Sequence, residues 1–403
     1  MRVLLVAPTC DGTDVGESWV AYQWASGLSA CHDVTLLTYR KRDRPSARDQ
    51  LENCRVVEWT EPPFLGRAER LNSMMAPGYL PFYFRARRWI AAALRRGEQF
   101  DVAFQPVPVA MRYPCPAVGF GIPVILGPVG GGLSSPPAFA AKEGTDPWFV
   151  RLRRLDSMRL KYDPLLKGSY ESASCVLGIA PYVAEKLADL SLKRFEIMSE
   201  TAINEVPAPI DRSGRLDPVR ALFVGRLVRT KGAREAIGAM ALCRDLPLVL
   251  DIVGDGPDRA ACEEITREAG LADRVRFWGY QPRETVMQHY RMADIFVFPS
   301  YREPGGNVTL EAMSNSLPLI VCGRGGPGAA VDEACGFKLQ VTTPDELTRD
   351  VAEALRKLLS DADLRHRMGQ AAWEHVQRTA LWKHKIGRIN KIFEELVVRR
   401  DYA

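Results

Sequence analysis

The chain has 403 residues, 46% of them hydrophobic and 26% charged, with a formal net charge of +5 at pH 7. This is globular composition, long enough for two cores, and the small positive excess is too weak to imply a nucleic-acid partner. Nine scattered cysteines without CxxC spacing exclude a disulfide framework, predict no metal cluster, and point to a reducing, cytoplasmic setting.

The first apolar run, Arg2–Ala7, is followed closely by Asp11. It is too short for a secretory leader and predicts a buried strand. Further runs bounded by turns lie at Val34–Thr38, Val102–Gln105, Val124–Leu126 and Cys175–Ile179, with helical patterns between them. That alternation predicts a parallel sheet covered on both faces. The weakly charged stretch Ala117–Leu133 is broken by repeated glycines, Pro123 and Pro128, which predicts strand and loop rather than a membrane span. Basic residues interleave with aromatic ones at Tyr83–Trp89 and Trp148–Lys167. These are either solvated helix faces or peripheral contacts with an anionic membrane surface at the inner face of the cell membrane.

The segment Glu205–Arg220 contains Pro207, Pro209 and Pro218 among polar residues and predicts a linker. Beyond it the alternation restarts, with strand candidates at Arg220–Val224, Leu248–Val253, Val275–Trp278, Ile295–Phe298 and Leu319–Cys322. Helices are predicted over Asp345–Leu359 and, amphipathic, over Trp382–Val398. The expected architecture is α/β, with two Rossmann-like, doubly wound domains over 1–205 and 220–380, a linker over 206–219, and a last helix in 381–403 crossing back to the first domain.

The segment Asp294–Met313 reads DIFVFPSYREPGGNVTLEAM, running from a strand through a glycine pair into a helix. A strand end facing a helix N-terminus forms an anion site, because free backbone N–H groups and the positive end of the helix dipole converge there. Gly305 and Gly306 let a diphosphate approach that backbone. Glu303 and Glu311, eight positions apart, flank the site; a first-turn glutamate merely serving the helix dipole is the simpler alternative. Upstream, Phe223–Gly232 reads FVGRLVRTKG, placing Arg226 and Lys231 at another strand-to-helix turn, where they are either surface charges or a clamp for a phosphorylated leaving group.

Together these segments resemble the GT4 family of retaining glycosyltransferases, the glycosyl transferases group 1, whose fold is GT-B: two Rossmann-like domains with a deep cleft between them. Val253-Gly254-Asp255-Gly256-Pro257, Phe277-Trp278-Gly279-Tyr280 and the Arg365–Ala371 stretch are also similar to family segments. The resemblance covers the chain from about Ala221 onward. It implies a donor domain in the C-terminal half, with Arg226 and Lys231 holding the donor diphosphate without a metal and Glu303 acting on the donor sugar. It further implies Glu311 on the ribose hydroxyls, Gly305, Gly306, Asn307 and Val308 on the phosphates, and Gly225, Gly254 and Tyr280 lining the donor pocket. No cofactor is implied; a nucleotide sugar, with UDP favoured, serves as co-substrate, and a lipid, lipid-linked glycan or polysaccharide as acceptor.

The N-terminal half resembles the family loosely. Ala30–Leu37 is similar to the family's second-strand segment and makes His32 structural. No histidine falls between Asp33 and Gln288, where many relatives carry one facing the donor sugar. The loop Gly127–Gly132 either occupies that place or is simply flexible. Acceptor-side candidates are Gly16 and Glu17, with Asp14, and Gly130 and Gly131. Gly323–Gly328 matches a dinucleotide-binding GxGxxG pattern literally, but Pro327 interrupts the helix start and the segment does not open its domain. Asp361-Ala362-Asp363 is most simply a helix cap. The alternatives are a non-catalytic sugar-nucleotide-binding protein and a nicotinamide-dependent oxidoreductase.

Overall fold

The computed structural model describes residues 1–41, 44–61, 78–141, 156–214 and 217–401. Two compact units divide the chain. The first comprises Met1–Gly132, Pro147–Thr201 and Trp382–Ala403, the second Leu133–Asp146 and Ala202–Leu381.

The first unit holds strands β1 (Arg2–Thr9), β2 (Asp33–Arg40), β3 (Cys54–Thr60), β4 (Val102–Gln105), β5 (Val124–Val129), β6 (Cys175–Gly178) and β7 (Phe195–Ile197). They form one sheet in the order β3-β2-β1-β4-β5-β6-β7, and every pairing is parallel. Val3, Leu4, Leu5, Val6 and Ala7 have no exposed surface, as a strand covered on both faces requires. The helix Trp382–Asp401 belongs to this unit and packs on the helix Glu17–Ser29, where the Trp24 and Trp382 rings meet edge to face at 5.2 Å. His32 is structural here, its Nε2 lying 2.9 Å from Asn390 Oδ1.

The second unit holds β8 (Val219–Val224), β9 (Leu248–Val253), β10 (Val275–Gly279), β11 (Ile295–Phe298), β12 (Leu319–Cys322) and β13 (Gly336–Leu339). Their order is β10-β9-β8-β11-β12-β13, again parallel throughout. In each sheet the chain first winds outward from one central strand and then restarts on that strand's other side. The restart creates a switch point between β1 and β4, and another between β8 and β11, the places where open α/β sheets bind ligands at the strand C-termini.

Three expectations change. Val124–Leu126 continues as strand through Val129, so Gly127, Pro128 and Gly130 are buried, and only Gly131 and Gly132 begin a loop. The Pro-rich segment expected as a linker lies against the second unit: Arg212 is buried, donates to the Asn315 carbonyl at 3.0 Å and faces Asp294 at 3.7 Å, while Trp373 Nε1 donates to Pro207 at 2.8 Å. The segment from Leu133, assigned by sequence to the first domain, joins the second unit, where Phe139 is buried and stacks on Tyr301 at 4.2 Å.

The basic and aromatic stretch Tyr83–Trp89 lies in the helix Tyr79–Arg95. Tyr83 and Ala86 are buried, and Arg87 donates to the Val118 carbonyl at 2.7 Å and stacks over Phe120 at 4.7 Å. Phe84, Arg85 and Arg88 are exposed. Of the stretch Trp148–Lys167, residues 148–155 lie outside the described residues. Among the described residues no helix is long and apolar enough to cross a membrane.

Candidate active site

The switch point of the second sheet joins the two segments singled out by sequence. The loop after β8 carries Gly225, Arg226 and Lys231, and the loop after β11 carries Glu303, Gly305 and Gly306. Gly232 has φ 78°, and a Cβ there would overlap the Pro299 carbonyl, so only glycine lets the two loops close on each other. Ser300 Oγ donates to the Thr230 carbonyl at 3.1 Å and ties the same two loops.

Lys231 and Glu303, 72 positions apart, meet as a direct ion pair, with 19% and 14% of their side-chain surface exposed. The Lys231 ammonium also lies 5.6 Å from the Phe298 ring centre. A half-buried pair loses less to solvent screening than a surface one. Arg226 is exposed and makes no side-chain hydrogen bond or ion pair among the described residues.

The helix Asn307–Ser314 begins directly after this pair. Gly306 caps it in the left-handed conformation (φ 84°), and no side chain bonds to the first helical amides. Thr309 N donates to the Gly306 carbonyl at 3.0 Å, and the N–H groups of Asn307 and Val308 at the start of the turn are left for an anion. On the second turn Glu311 accepts a hydrogen bond from Tyr290 Oη at 3.2 Å and lies 3.7 Å from Arg283. Burial raises its carboxyl above the ordinary range, against the opposing pull of Arg283 and Tyr290.

Glycines set the rest of the rim. Gly225, Gly254 and Gly279 end or follow three adjacent strands. Gly225 N donates to Val253 O at 3.0 Å and Gly254 N to Gly279 O at 2.8 Å. A Cβ on Gly254 (φ 132°) would overlap the Gly225 carbonyl. Tyr280 follows with 85% of its surface exposed. Trp278 instead donates from Nε1 to Asp251 at 2.8 Å and meets the His289 ring, tilted by 60°, at 4.9 Å.

The glycine run at 323–328, dismissed as a dinucleotide fingerprint, supports this site from behind. The short helix Gly325–Ala330 brings Gly326 N to the Glu303 carbonyl at 3.0 Å. Cβ atoms on Gly325 and Gly326 would overlap the carbonyls of Glu303 and Gly305. Sequence reasoning missed this role because backbone-to-backbone packing leaves only the glycine itself as a signal. Asp361 is a cap as expected, accepting from Leu364 N at 2.8 Å.

In the first unit the acceptor-side candidates share the C-terminal rim of the sheet. Gly16 (φ 65°) precedes the helix that Glu17 begins. Glu17 accepts from Val109 N at 3.0 Å, Ala110 bridges to Gly130, and Gly131 N donates to Tyr182 Oη at 3.1 Å. Glu17 is itself exposed to solvent, and neighbouring protein nonetheless raises its carboxyl above the ordinary range by desolvation, the Val109 amide working in the opposite direction. Asp14 stands apart from this chain of contacts, paired with Lys41, whose hydrogen bond lowers its carboxyl against the opposing effect of burial.

Residues 211–375 match the family described as glycosyl transferases group 1, and residues 15–197 match the glycosyl transferase 4-like domain. The chain belongs to the GT4 glycosyltransferase family. Its GT-B fold is shared with Anabaena HepE, solved in complex with UDP, at 15% identity and a TM-score of 0.64 over 98% of this chain and 100% of that one. Among curated GT4-like relatives, the D-inositol 3-phosphate glycosyltransferase of Corynebacterium jeikeium is 32% identical over 242 residues, 58% of this chain and 54% of the relative. The lipopolysaccharide core biosynthesis glycosyltransferase LpsD of Rhizobium meliloti is 32% identical over 214 residues, 52% of this chain and 60% of the relative. The chain thus matches little more than half the length of either relative.

Proposed function

We propose that this GT4 protein transfers a sugar from a nucleoside diphosphate donor, with UDP favoured, to a lipid, lipid-linked glycan or polysaccharide acceptor, with retention of configuration. The observation that carries this reading is the Lys231–Glu303 pair at a switch point, next to a helix whose N-terminus has no side-chain cap. The diphosphate seats on the Gly305–Val308 backbone, and Lys231 and Arg226 neutralise it. As the bond from the anomeric carbon to the phosphate oxygen breaks, that oxygen leaves with the electron pair, and the two cations stabilise the growing charge. The acceptor hydroxyl oxygen bonds to the anomeric carbon, and its proton passes to the departing phosphate oxygen. A phosphate drawing Lys231 away releases Glu303 toward the donor sugar, whose developing positive charge a carboxylate stabilises. Glu311 accepts from the ribose hydroxyls.

HepE's complex with UDP supports a uridine donor. The name of LpsD and the exposed Leu80, Phe84, Arg85 and Arg88 support an acceptor at an anionic membrane face. The protein's setting is then cytoplasmic and peripheral.

The decisive test incubates the purified chain with UDP-, GDP- and ADP-sugars and measures release of each nucleoside diphosphate, alongside thermal shifts with the same donors and with NAD and NADP. Stabilisation by one sugar nucleotide, with product release slowed about 100- to 1,000-fold in Glu303→Gln, is the expected result. Stabilisation by NAD or NADP alone would overturn the proposal.

A further inference from the structure

The second unit gathers three potential metal ligands outside the donor site. Asp332 and Cys335 lie on the turn between the helix Gly325–Ala330 and β13, and His375 on the helix Ala362–Thr379. One ligand atom from each lies within 4.8 Å of the other two. We propose that Asp332, Cys335 and His375 bind a borderline divalent transition metal, zinc(II) being the natural occupant, which fastens the Asp332–Cys335 turn to the helix carrying His375.

The donor set suits such an ion. A thiolate, an imidazole and a carboxylate are the ligands zinc takes, in a tetrahedron whose fourth position is left to water. His375 Nδ1 is already 3.1 Å from Asp332 Oδ2. Metal bonds of roughly 2.0–2.3 Å place neighbouring tetrahedral ligands roughly 3.3–3.8 Å apart, so a side-chain adjustment of about 1 Å closes the set. The backbone already orients Asp332, whose Oδ1 accepts from Ala334 N at 3.0 Å and Cys335 N at 3.1 Å, leaving Oδ2 toward the histidine. The burial of each group also fits. Cys335 is buried, the His375 side chain is 23% exposed and that of Asp332 49% exposed, so the ion has a route in and a solvent side for its water. Coordination replaces the thiol proton: the S–H bond breaks, the sulfur keeps the electron pair as metal ligand, and the proton leaves to solvent.

The position has a consequence for the fold. The bound turn follows the short helix whose other end, through Gly325 and Gly326, packs on the carbonyls of Glu303 and Gly305. An ion tying this turn to the helix Ala362–Thr379 would hold the support of the donor loop, with no step of the transfer passing through it.

The test titrates the chelator-treated protein with cobalt(II), whose thiolate charge-transfer band reports sulfur coordination, and then displaces it with zinc. One equivalent should bind with the band present, zinc should abolish it, and zinc should raise the melting temperature. Cys335→Ser should lose the band, and His375→Gln should weaken binding at least about tenfold, the lower bound for losing even an outer partner of a metal ligand. Cys31→Ser, at an exposed cysteine, should change nothing. If Cys335→Ser fails to fold, the His375→Gln titration decides alone. Absence of the band in the parent, or a band and affinity unchanged in His375→Gln, would overturn the proposal.

Discussion

Glu303 and Glu311 stand eight positions apart but in very different surroundings, and the difference sets what their removal should do. Glu303 faces the Lys231 ammonium, which in the proposed mechanism a diphosphate draws away, whereas Glu311 is desolvated beside Tyr290. Glu303→Gln keeps the shape and removes the charge; kcat is expected to fall about 100- to 1,000-fold, the range for losing one preorganised electrostatic contact, with donor KM nearly unchanged. Glu311→Ala removes hydrogen bonds to a charged acceptor, and donor Kd measured by calorimetry should rise about 10- to 100-fold. Equal effects of both variants on kcat and Kd would contradict this division. Arg226, exposed and without a side-chain partner among the described residues, should lose donor affinity on replacement by alanine while its thermal stability stays within about 0.5 kcal/mol of the parent.

Among the elements, two places carry unusual demands. The helix Gly325–Ala330 meets the donor loop backbone to backbone, so Gly326→Ala must push Gly305 aside; about 1–3 kcal/mol of stability should be lost, together with donor binding, by denaturant titration and calorimetry. Loss of stability without loss of donor binding would show that the contact supports the fold alone. The helix Trp382–Asp401 buries Lys385, whose ammonium donates to the Ser199 and Thr201 carbonyls between the Trp24 and Trp382 rings. Burial pulls it down to about 7 from 10.5, against Glu200, which favours the charge. Between those two values the unfolded chain holds the proton and the folded chain does not, so stability rises with pH across that window and is flat below it. The melting temperature of the parent relative to Lys385→Met should therefore increase from about pH 7 to about pH 9.5 and stay constant below about pH 6. A difference that does not vary with pH would remove this account.

For the molecule as a whole, ligand binding to the folded state must raise its apparent stability, so a cognate sugar nucleotide at about 100 times its Kd should add about 2.7 kcal/mol. Lys231→Ala should abolish that gain; an undiminished shift would place the donor elsewhere. The residues determined by themselves much of this plan. Interior strands such as Arg2–Thr9, Leu248–Val253 and Ile295–Phe298 are covered on both faces and so read as near-continuous apolar runs, even with Asp251 inside the second. The loop proposed to hold the donor was legible for a related reason: an anion site needs glycines, cations and acids close together along a strand-loop-helix segment. Three of the four edge strands, Cys54–Thr60, Phe195–Ile197 and Gly336–Leu339, escaped because they are only partly buried and polar residues interrupt their pattern; the fourth, Val275–Gly279, was legible despite Arg276. Only the tertiary structure decided that Lys231 reaches Glu303, that Leu133 onward leaves the first unit, that the Pro-rich segment is bound down through Arg212, and that Asp332 and Cys335 meet His375. Each depends on residues far apart in the chain, and no local periodicity encodes a contact made when one folded layer closes on another.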